Sequence, residues 1–282
     1  MVLFKKVTDL RKYLETQAQT DSSIGFVPTM GALHPGHLSL IDTSKKHTDI
    51  TVCSIFVNPT QFNDPRDFQK YPITLENDIY LLEKAGCDIL FLPSVEEIYP
   101  GGIESKPHYE LGYLETILEG KFRPGHFQGV CMVVHRLLDI VQPSQLFLGQ
   151  KDYQQCMVIK TLVETVPQKS RVAITICPTL REPDGLAMSS RNMRLNEEER
   201  QRATTIFESL NFIKTHIKKG AVTNLIDIAI SKLVENGFKV DYLTIADANN
   251  LSPITDWDGE QPAVVLAAAF LNEVRLIDNM VM

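Results

Sequence analysis

The sequence lacks a long apolar run and an excess of basic residues, and each absence excludes a class of protein. Its longest apolar stretch, Ala263 to Leu271, is far shorter than the roughly 20 residues that a membrane-spanning helix needs. Lys and Arg total 28 against 35 Asp and Glu, a net charge of −7, which argues against a dedicated DNA- or RNA-binding surface. A few placed cations can still hold one nucleotide. We therefore expect neither a membrane nor a nucleic acid as a partner.

Paired cysteines are also lacking. The five cysteines, at positions 53, 87, 131, 156 and 177, contain no CxxC motif. Their odd number and apolar surroundings are typical of buried free thiols rather than of a disulfide framework or a catalytic thiol. The N-terminal segment has lysines directly after a very short apolar stretch, which indicates an amphipathic segment rather than a signal peptide. These features together predict a cytoplasmic protein.

The length of 282 residues, with 44% hydrophobic and 22% charged residues, is typical of a globular protein of about two domains. In the first two thirds, strand-length apolar runs alternate with helix-period segments. We predict strands at 24–27, 50–57, 87–92, 145–148 and 172–176, and helices at 37–46, 75–85, 130–141 and 153–163. This alternation predicts an α/β fold, a Rossmann-like parallel sheet with helices on both faces.

The pattern changes near residue 178. Two helical stretches, 197–218 and 222–236, precede three strands at 240–246, 263–270 and 273–278. We therefore predict a first domain over residues 1–178 and a smaller C-terminal α+β domain, acting as a lid, over residues 179–282.

The segment VPTMGALHPGH, residues 27–37, lies between a predicted buried strand and a helix. Backbone N–H groups and the helix dipole favour an anion there, and Gly31 and Gly36 allow a ligand to approach closely. The spacing mimics half of a P-loop, but His37 stands where the motif requires lysine, and GxGxxG is absent. The remaining pair of His34 and His37 suits phosphate chemistry. A capping loop with surface histidines and a two-histidine metal site are the alternatives.

Polar residues also follow three other predicted strands. They are Gln61 after the strand at 50–57, Lys151 and Asp152 after the strand at 145–148, and Ser189, Ser190 and Arg191 after the last strand of the first domain. Because such folds bind ligands beyond the carboxyl ends of their strands, we expect these groups to converge on one crevice with the two histidines. When each segment is considered alone, the alternative to ligand binding is an ordinary turn at Gln61 and a helix-capping turn at Ser189 and Ser190.

Five ordered segments resemble the pantoate–β-alanine ligase family, within the HxGH nucleotidyltransferase superfamily. They are PTMGALHPGH, SIFVNPTQF, KFRPGHFQGV, LFLGQKDYQQ and REPDGLAMSSRN. The resemblance runs from about residue 24 to residue 194, and the C-terminal EVRLIDNM is similar to the family's ending. One departure is Gln150, because the family usually has glutamate at that place. The departure removes a carboxylate beside Lys151.

The resemblance implies an ATP-dependent ligase that condenses (R)-pantoate with β-alanine through a pantoyl-adenylate, with Mg²⁺, giving pantothenate, AMP and pyrophosphate. It also implies a homodimer. The implied nucleotide-binding residues are Met30, Gly31, Ala32, Leu33, His34, Pro35, Gly36, His37, Gly149, Gln150, Lys151, Asp152, Met188, Ser189, Ser190 and Arg191. The implied catalytic residues are His37, His34 and Lys151, the implied substrate-binding residues are Gln61, Gln155 and Arg123, and the implied partner of Mg²⁺ is Asp78.

Two other functions remain open on the residues alone. One is a nucleotidyltransferase that activates a different substrate, and the other is a nucleotide-binding regulator that has lost catalysis, which Gln150 would favour. A tRNA synthetase is disfavoured because the chain is short and acidic and has no basic module for reading an anticodon.

Overall fold

The computed structural model describes residues 1–18, 21–103, 107–166 and 171–282. The chain divides into two compact units. The first comprises residues 1–149 and 155–178, and the second comprises residues 150–154 and 179–282. The segment 150–154 thus groups with the C-terminal residues, although it was predicted to belong to the first domain.

Six strands of the first unit form a parallel sheet in the order β1-β4-β3-β2-β5-β6. They are β1 (Val2–Phe4), β2 (Ile24–Thr29), β3 (Ile50–Ile55), β4 (Ile89–Phe91), β5 (Gln145–Gly149) and β6 (Ala173–Cys177). The strand order reverses direction between β2 and β5. The carboxyl ends of these two strands, at Thr29 and Gly149, therefore flank the switch point at which open α/β sheets bind their ligands.

Helices pack on both faces of this sheet, because alternate residues of its strands point to opposite sides. The helices of this part of the chain are α1 (Val7–Ala18), α2 (Pro35–His47), α3 (Pro65–Gln69), α4 (Leu75–Lys84), α5 (Val95–Ile98), α6 (Leu118–Phe122), α7 (His126–Val141) and α8 (Tyr153–Thr165). Phe26 and Val52 face a core shared with α1, α7 and α8, whereas their neighbours Val27 and Cys53 face a core shared with α2 and α4. The predicted Rossmann-like parallel sheet is confirmed.

The second unit has helices α9 (Glu197–Arg202), α10 (Thr205–His216) and α11 (Thr223–Glu235). Its strands are β7 (Gly220–Ala221), β8 (Phe238–Asp247), β9 (Asp256–Trp257), β10 (Ala263–Leu271) and β11 (Val274–Val281). An antiparallel sheet of order β11-β10-β8 shares a buried core with these helices, and β7 pairs with β9. Two short 3-10 turns, Gln150–Asp152 and Ser190–Arg194, contact β11. The predicted α+β character of the C-terminal residues is confirmed.

Several local predictions differ from the structure: α7 begins at His126 rather than at residue 130, and β7 and β9 were not predicted. The helix predicted over 197–218 is broken at Ala203 and Thr204, but both residues keep right-handed helical dihedral angles. The apolar period therefore continues across the break, which is why one helix was expected. The N-terminal opening also contains β1 before α1, since Val2 to Phe4 pair with Ile89 to Phe91 of β4.

All five cysteines are buried and unpaired, as the sequence predicted. Burial raises the pKa of the Cys131 thiol to about 12 and that of Cys87 to about 11. Both thiols therefore stay protonated and unreactive at neutral pH. No described helix is both long and apolar enough to cross a bilayer.

Candidate active site

The loop between β2 and α2 passes through two successive residues with left-handed backbone angles. Gly31 has a φ of 79°, and Ala32 has a φ of 49°, which costs a residue with a Cβ about 1–2 kcal/mol. The Asp78 carboxylate holds this conformation, because its Oδ2 accepts a hydrogen bond from Ala32 N at 2.9 Å and its Oδ1 accepts one from Leu33 N at 2.8 Å. The Thr74 hydroxyl also donates to Oδ1 at 2.9 Å. The loop conformation thus depends on a carboxylate of α4.

These contacts do not fit the metal-binding role implied for Asp78. Both of its oxygens already accept hydrogen bonds from the protein, and the residue is 1% exposed. Within the described ranges, no group of three or more His, Cys, Asp or Glu side chains could hold a metal ion. Asp78 instead supports the loop, a role that the sequence did not predict.

His34 and His37 lie together where α2 begins. Pro35 takes the first helical position. A backbone N–H there would have no partner within the helix, so proline costs no helical hydrogen bond. The two imidazole centroids are 4.0 Å apart, and His34 N donates a long hydrogen bond of 3.4 Å to His37 Nδ1. A neutral His37 ring therefore carries its proton on Nε2. The result is an N–H donor in the first turn of a helix, where the dipole also favours negative charge.

Gln61 is buried in a 3-10 turn that follows β3, and neighbouring side chains fix its amide. Its Oε1 accepts a hydrogen bond from Asn58 Nδ2 at 2.9 Å, and its Nε2 donates to Met30 Sδ at 3.2 Å. Asn58 Oδ1 accepts in turn from the Tyr99 hydroxyl at 2.8 Å. Burial raises the pKa of Tyr99 to about 12, so the hydroxyl remains a donor. Asn58 and Tyr99 are thus supporting residues that the sequence did not single out.

Arg123 supports Gln61 through His126. The Arg123 guanidinium lies 3.6 Å from the Glu119 carboxylate and 3.1 Å from His126 Nε2. Because arginine only donates, His126 accepts at Nε2, and its Nδ1–H donates to the carbonyl of Gln61 at 2.8 Å. The observed contacts of Arg123 are therefore with Glu119 and with His126, which holds the backbone of Gln61, the residue predicted to bind substrate. They also give a role to His126.

A glycine in α7 allows that helix to approach the turn at Gln61. A Cβ built on Gly129 would overlap the carbonyl of Thr60 and lie 2.7 Å from Gln61 Cα. Gly129 O also accepts a hydrogen bond from Asn58 Nδ2 at 3.1 Å. The position of Gln61 therefore depends on the absence of a side chain at residue 129.

We expect Gly129→Ala to raise the KM for the acid that Gln61 is expected to bind by about tenfold, because displacing a positioning group by a fraction of an ångström weakens a fitted site. The measurement is steady-state kinetics with that acid varied. Gly101→Ala is the matched control, since a Cβ there has no neighbour within 4 Å. Unchanged kinetics and Tm in Gly129→Ala would contradict the close approach of α7 to the turn at Gln61.

Two further predicted residues of the first unit lie at or near β5. Gly149 ends this strand, beside the switch point of the sheet. Gln155 is half-buried in the first turn of α8. Their positions are compatible with nucleotide and substrate binding at the carboxyl edge of the sheet.

In the second unit, Gln150, Lys151 and Asp152 form a 3-10 turn. The Lys151 ammonium lies 3.5 Å from the Asp152 carboxylate, and the lysine side chain is 16% exposed. The pair is long and partly solvated, so it contributes little to stability. The ammonium group therefore keeps most of its capacity to attract an anion.

The Ser189 hydroxyl caps the 3-10 turn Ser190–Arg194 by accepting a hydrogen bond from Arg191 N at 3.3 Å. The capping turn considered as an alternative is thus present at Ser189. Ser190 is buried, and Met188 N donates to the Leu180 carbonyl at 3.1 Å. The turn holds its predicted phosphate-binding residues on an ordered backbone in the second unit.

Comparison with known proteins gives one consistent family. The family model described as "Pantoate-beta-alanine ligase" matches residues 2–281. A pantothenate synthetase of Cytophaga hutchinsonii is 45% identical over 100% of this chain and 99% of its own length. The pantothenate synthetase of Phocaeicola vulgatus is 43% identical over 99% of this chain and 98% of its own length.

Solved structures give the same family. Pantothenate synthetase from Thermus thermophilus has a TM-score of 0.90 and 40% identity, with 99% of each chain covered. A pantoate-beta-alanine ligase from Francisella tularensis, crystallised in complex with beta-gamma ATP and beta-alanine, has a TM-score of 0.81 and 38% identity over 100% of this chain and 97% of its own. The present chain therefore belongs to the pantoate-beta-alanine ligase family.

Proposed function

We propose that the protein catalyses the ATP-dependent condensation of (R)-pantoate with β-alanine, which yields pantothenate, AMP and pyrophosphate. The observation that carries this proposal is the family match over residues 2–281, since this range includes every segment that bears a proposed site residue. The same fold and site residues also suit the reaction on physical grounds.

A free carboxylate is a poor acyl donor, and forming an acyl-adenylate gives it a good leaving group. In the first step, a pantoate carboxylate oxygen attacks the α-phosphorus of ATP, and the bond to pyrophosphate breaks. In the second step, the amine of β-alanine attacks the pantoyl carbonyl, loses a proton, and displaces AMP. The first step brings two anions together, so its transition state needs cations and hydrogen-bond donors.

In the first unit, we propose that His37 Nε2–H and the N-terminal turn of α2 offset the charge that develops on the phosphates. The ordered loop from Met30 to Gly36 then forms the wall of the nucleotide site, with His34 on the phosphates and Gly149 beside the nucleotide. Gln61 and Gln155 bind pantoate, and Arg123 acts by supporting Gln61. The hydrogen bonds that fix the Gln61 amide support this assignment, because they hold its orientation before the substrate arrives.

In the second unit, we propose that Lys151 supplies a positive charge to the phosphates, together with Ser190 and Arg191. Met188, Ser189, Gln150 and Asp152 complete the nucleotide-binding set. Mg²⁺ is proposed to accompany ATP, as the resemblance implies. Because no acidic cluster in the described part of the chain fits a metal ion, no step of the reaction is assigned to it.

We expect the protein to release pyrophosphate from ATP when pantoate is present, and to form pantothenate only after β-alanine is added. Coupled pyrophosphate detection and mass spectrometry of the product measure the two steps. A folded protein that yields neither product would contradict the proposal. Pyrophosphate exchange with a different acid would indicate a nucleotidyltransferase of another specificity, and tight ATP binding without turnover would indicate a regulator.

We also propose that the chain forms a homodimer, on the resemblance alone, and that it works in the cytoplasm. Five buried and unpaired cysteines support the second statement, because free thiols persist in reducing compartments. Residues 179–282, together with the segment 150–154, are proposed to be a separate domain.

A further inference from the structure

A buried ion pair in the second unit joins β11 to the segment that precedes Ser189. Arg181 Nη1 donates to Asp278 Oδ2 at 2.6 Å, and Nη2 donates to Oδ1 at 2.9 Å, a bidentate arrangement. The Asp278 side chain is 3% exposed, and burial raises its pKa while the guanidinium opposes that rise. The guanidinium also donates to the carbonyls of Gly185 and Asn279, at 3.0 and 3.1 Å. Arg181 thus donates hydrogen bonds to two backbone carbonyls as well as to the Asp278 carboxylate.

The next residue on β11, Asn279, connects this ion pair to the turn that carries Lys151. Its backbone N–H donates to Asp278 Oδ1 at 2.7 Å. Its side-chain Nδ2 donates to the carbonyls of Gln150 and Lys151, at 2.9 and 2.8 Å. Its Oδ1 accepts a longer bond of 3.4 Å from Gln150 Nε2. Asn279 is 2% exposed, so these bonds are made away from bulk water.

The other branch of the network holds the chain that leads into Ser189. Arg181 pairs with Ala187 in an antiparallel bridge, and the loop between them is closed by a hydrogen bond from Glu182 N to the Leu186 carbonyl at 2.8 Å. Phe207 packs under the Arg181 guanidinium, 5.0 Å from the ring centroid. Arg181, Asp278 and Asn279 therefore bond to the turn that carries Lys151 and to the loop that leads into the Ser189–Arg191 segment.

We propose that Arg181, Asp278 and Asn279, here called the β11 clamp, are positioning residues that set the backbone of Lys151 and of the Ser189–Arg191 segment for binding the triphosphate. This inference rests on the proposed function for the identity of the reaction. The β11 clamp acts through geometry and does not touch the nucleotide.

Two physical arguments support a positioning role. A lysine has a flexible four-carbon stem, so the place its ammonium can reach is set by where its backbone is held. A buried ion pair is costly to desolvate, and apolar residues of similar volume often stabilise a core as well or better. Stability alone therefore does not require Arg181, Asp278 and Asn279. Holding two polar turns against one strand does require hydrogen-bonding side chains of this kind.

The first test is Asn279→Ala, which removes both N–H donors to the turn. We expect kcat/KM for pyrophosphate formation to fall about tenfold, and the Kd for α,β-methylene-ATP to rise by a similar factor, because the lysine backbone is released. Asn279→Asp keeps the shape but removes the two donors, so it should be at least as impaired. The matched control is Asp241→Asn, which weakens a second part-buried pair to β11, Asp241 with Arg275 at 2.8 Å. That control should stay within about twofold of wild type.

The second test separates positioning from general stability. In a Lys151→Ala background, Asn279→Ala should reduce kcat/KM by less than about twofold, because the group that it positions is already absent. A full tenfold further loss in that background would overturn the inference. Wild-type kinetics and nucleotide Kd in Asn279→Ala, or an equal loss in Asp241→Asn, would also overturn it.

Failure of the inference can be distinguished from failure of the proposed function. If the wild-type protein forms no pyrophosphate from ATP and pantoate, the proposed function fails, and the Kd for α,β-methylene-ATP in the same variants decides the inference. If the wild-type protein does not bind this nucleotide at all, the inference fails as well.

Discussion

His37→Ala is expected to slow pyrophosphate formation from ATP and pantoate by about 100-fold or more, which corresponds to about 2.7 kcal/mol of transition-state stabilisation. The variant removes the Nε2–H donor from the first turn of α2, where we propose that charge develops as pyrophosphate leaves. It also removes the acceptor of the His34 backbone N–H. Alanine is a good helix former, so the fold should persist. Single-turnover kinetics with saturating ATP and pantoate measures the step directly.

The control for this variant lies at the other end of the same helix. His47 is exposed, and its Nδ1 lies 2.8 Å from the carbonyl of Thr43. His47→Ala should keep wild-type turnover. If both variants were equally slow, the loss would reflect weakening of α2. If His37→Ala turned over at the wild-type rate, the assignment of His37 to the transition state would be wrong.

Much of the fold could be predicted because its signals are local. The buried strands β2 and β3 carry largely apolar runs, and the helix between them, α2, carries the helical period. The strand β1 was missed because three residues give too short a pattern, and only pairing with β4 defines them as a strand. The break between α9 and α10 was missed because the backbone keeps helical angles there.

The site was predictable where its residues are adjacent in the sequence. His34 is the N-cap of α2 and His37 is its third residue, so their proximity follows from their short spacing at the start of the helix. The partners of Asp78 and of Asn279 could not be predicted in the same way. Asp78 bonds to a loop 46 residues away, and Asn279 bonds to a turn 129 residues away, and both loops depend on the folded backbone. The family resemblance implied Mg²⁺ as the partner of Asp78, and the hydrogen bonds that its carboxylate accepts were not visible in the sequence.

The second large effect is expected for Asp78→Ala. The substitution leaves the N–H groups of Ala32 and Leu33 without their buried acceptor, and it removes the support for two left-handed residues. Hydrogen bonds to a charged group contribute about 1.5–3 kcal/mol each, so we expect the free energy of unfolding to fall by about 3 kcal/mol. The Tm should fall by about 6–12 °C, at about 2–4 °C per kcal/mol for a chain of this size. Thermal and urea unfolding measure both quantities.

The same variant distinguishes support of the loop from metal binding. A metal ligand would, when removed, raise the Mg²⁺ concentration required for half-maximal activity and leave the Tm of the metal-free protein unchanged. Support of the loop predicts the reverse, a lower Tm without metal and a kcat/KM about tenfold lower at every Mg²⁺ concentration. Glu76→Ala, an exposed carboxylate in the same helix, should change neither. Both oxygens of Asp78 accept hydrogen bonds from backbone and hydroxyl donors of the β2–α2 loop and of Thr74. We therefore expect a lower Tm without metal and a lower kcat/KM at every Mg²⁺ concentration, as support of the loop predicts.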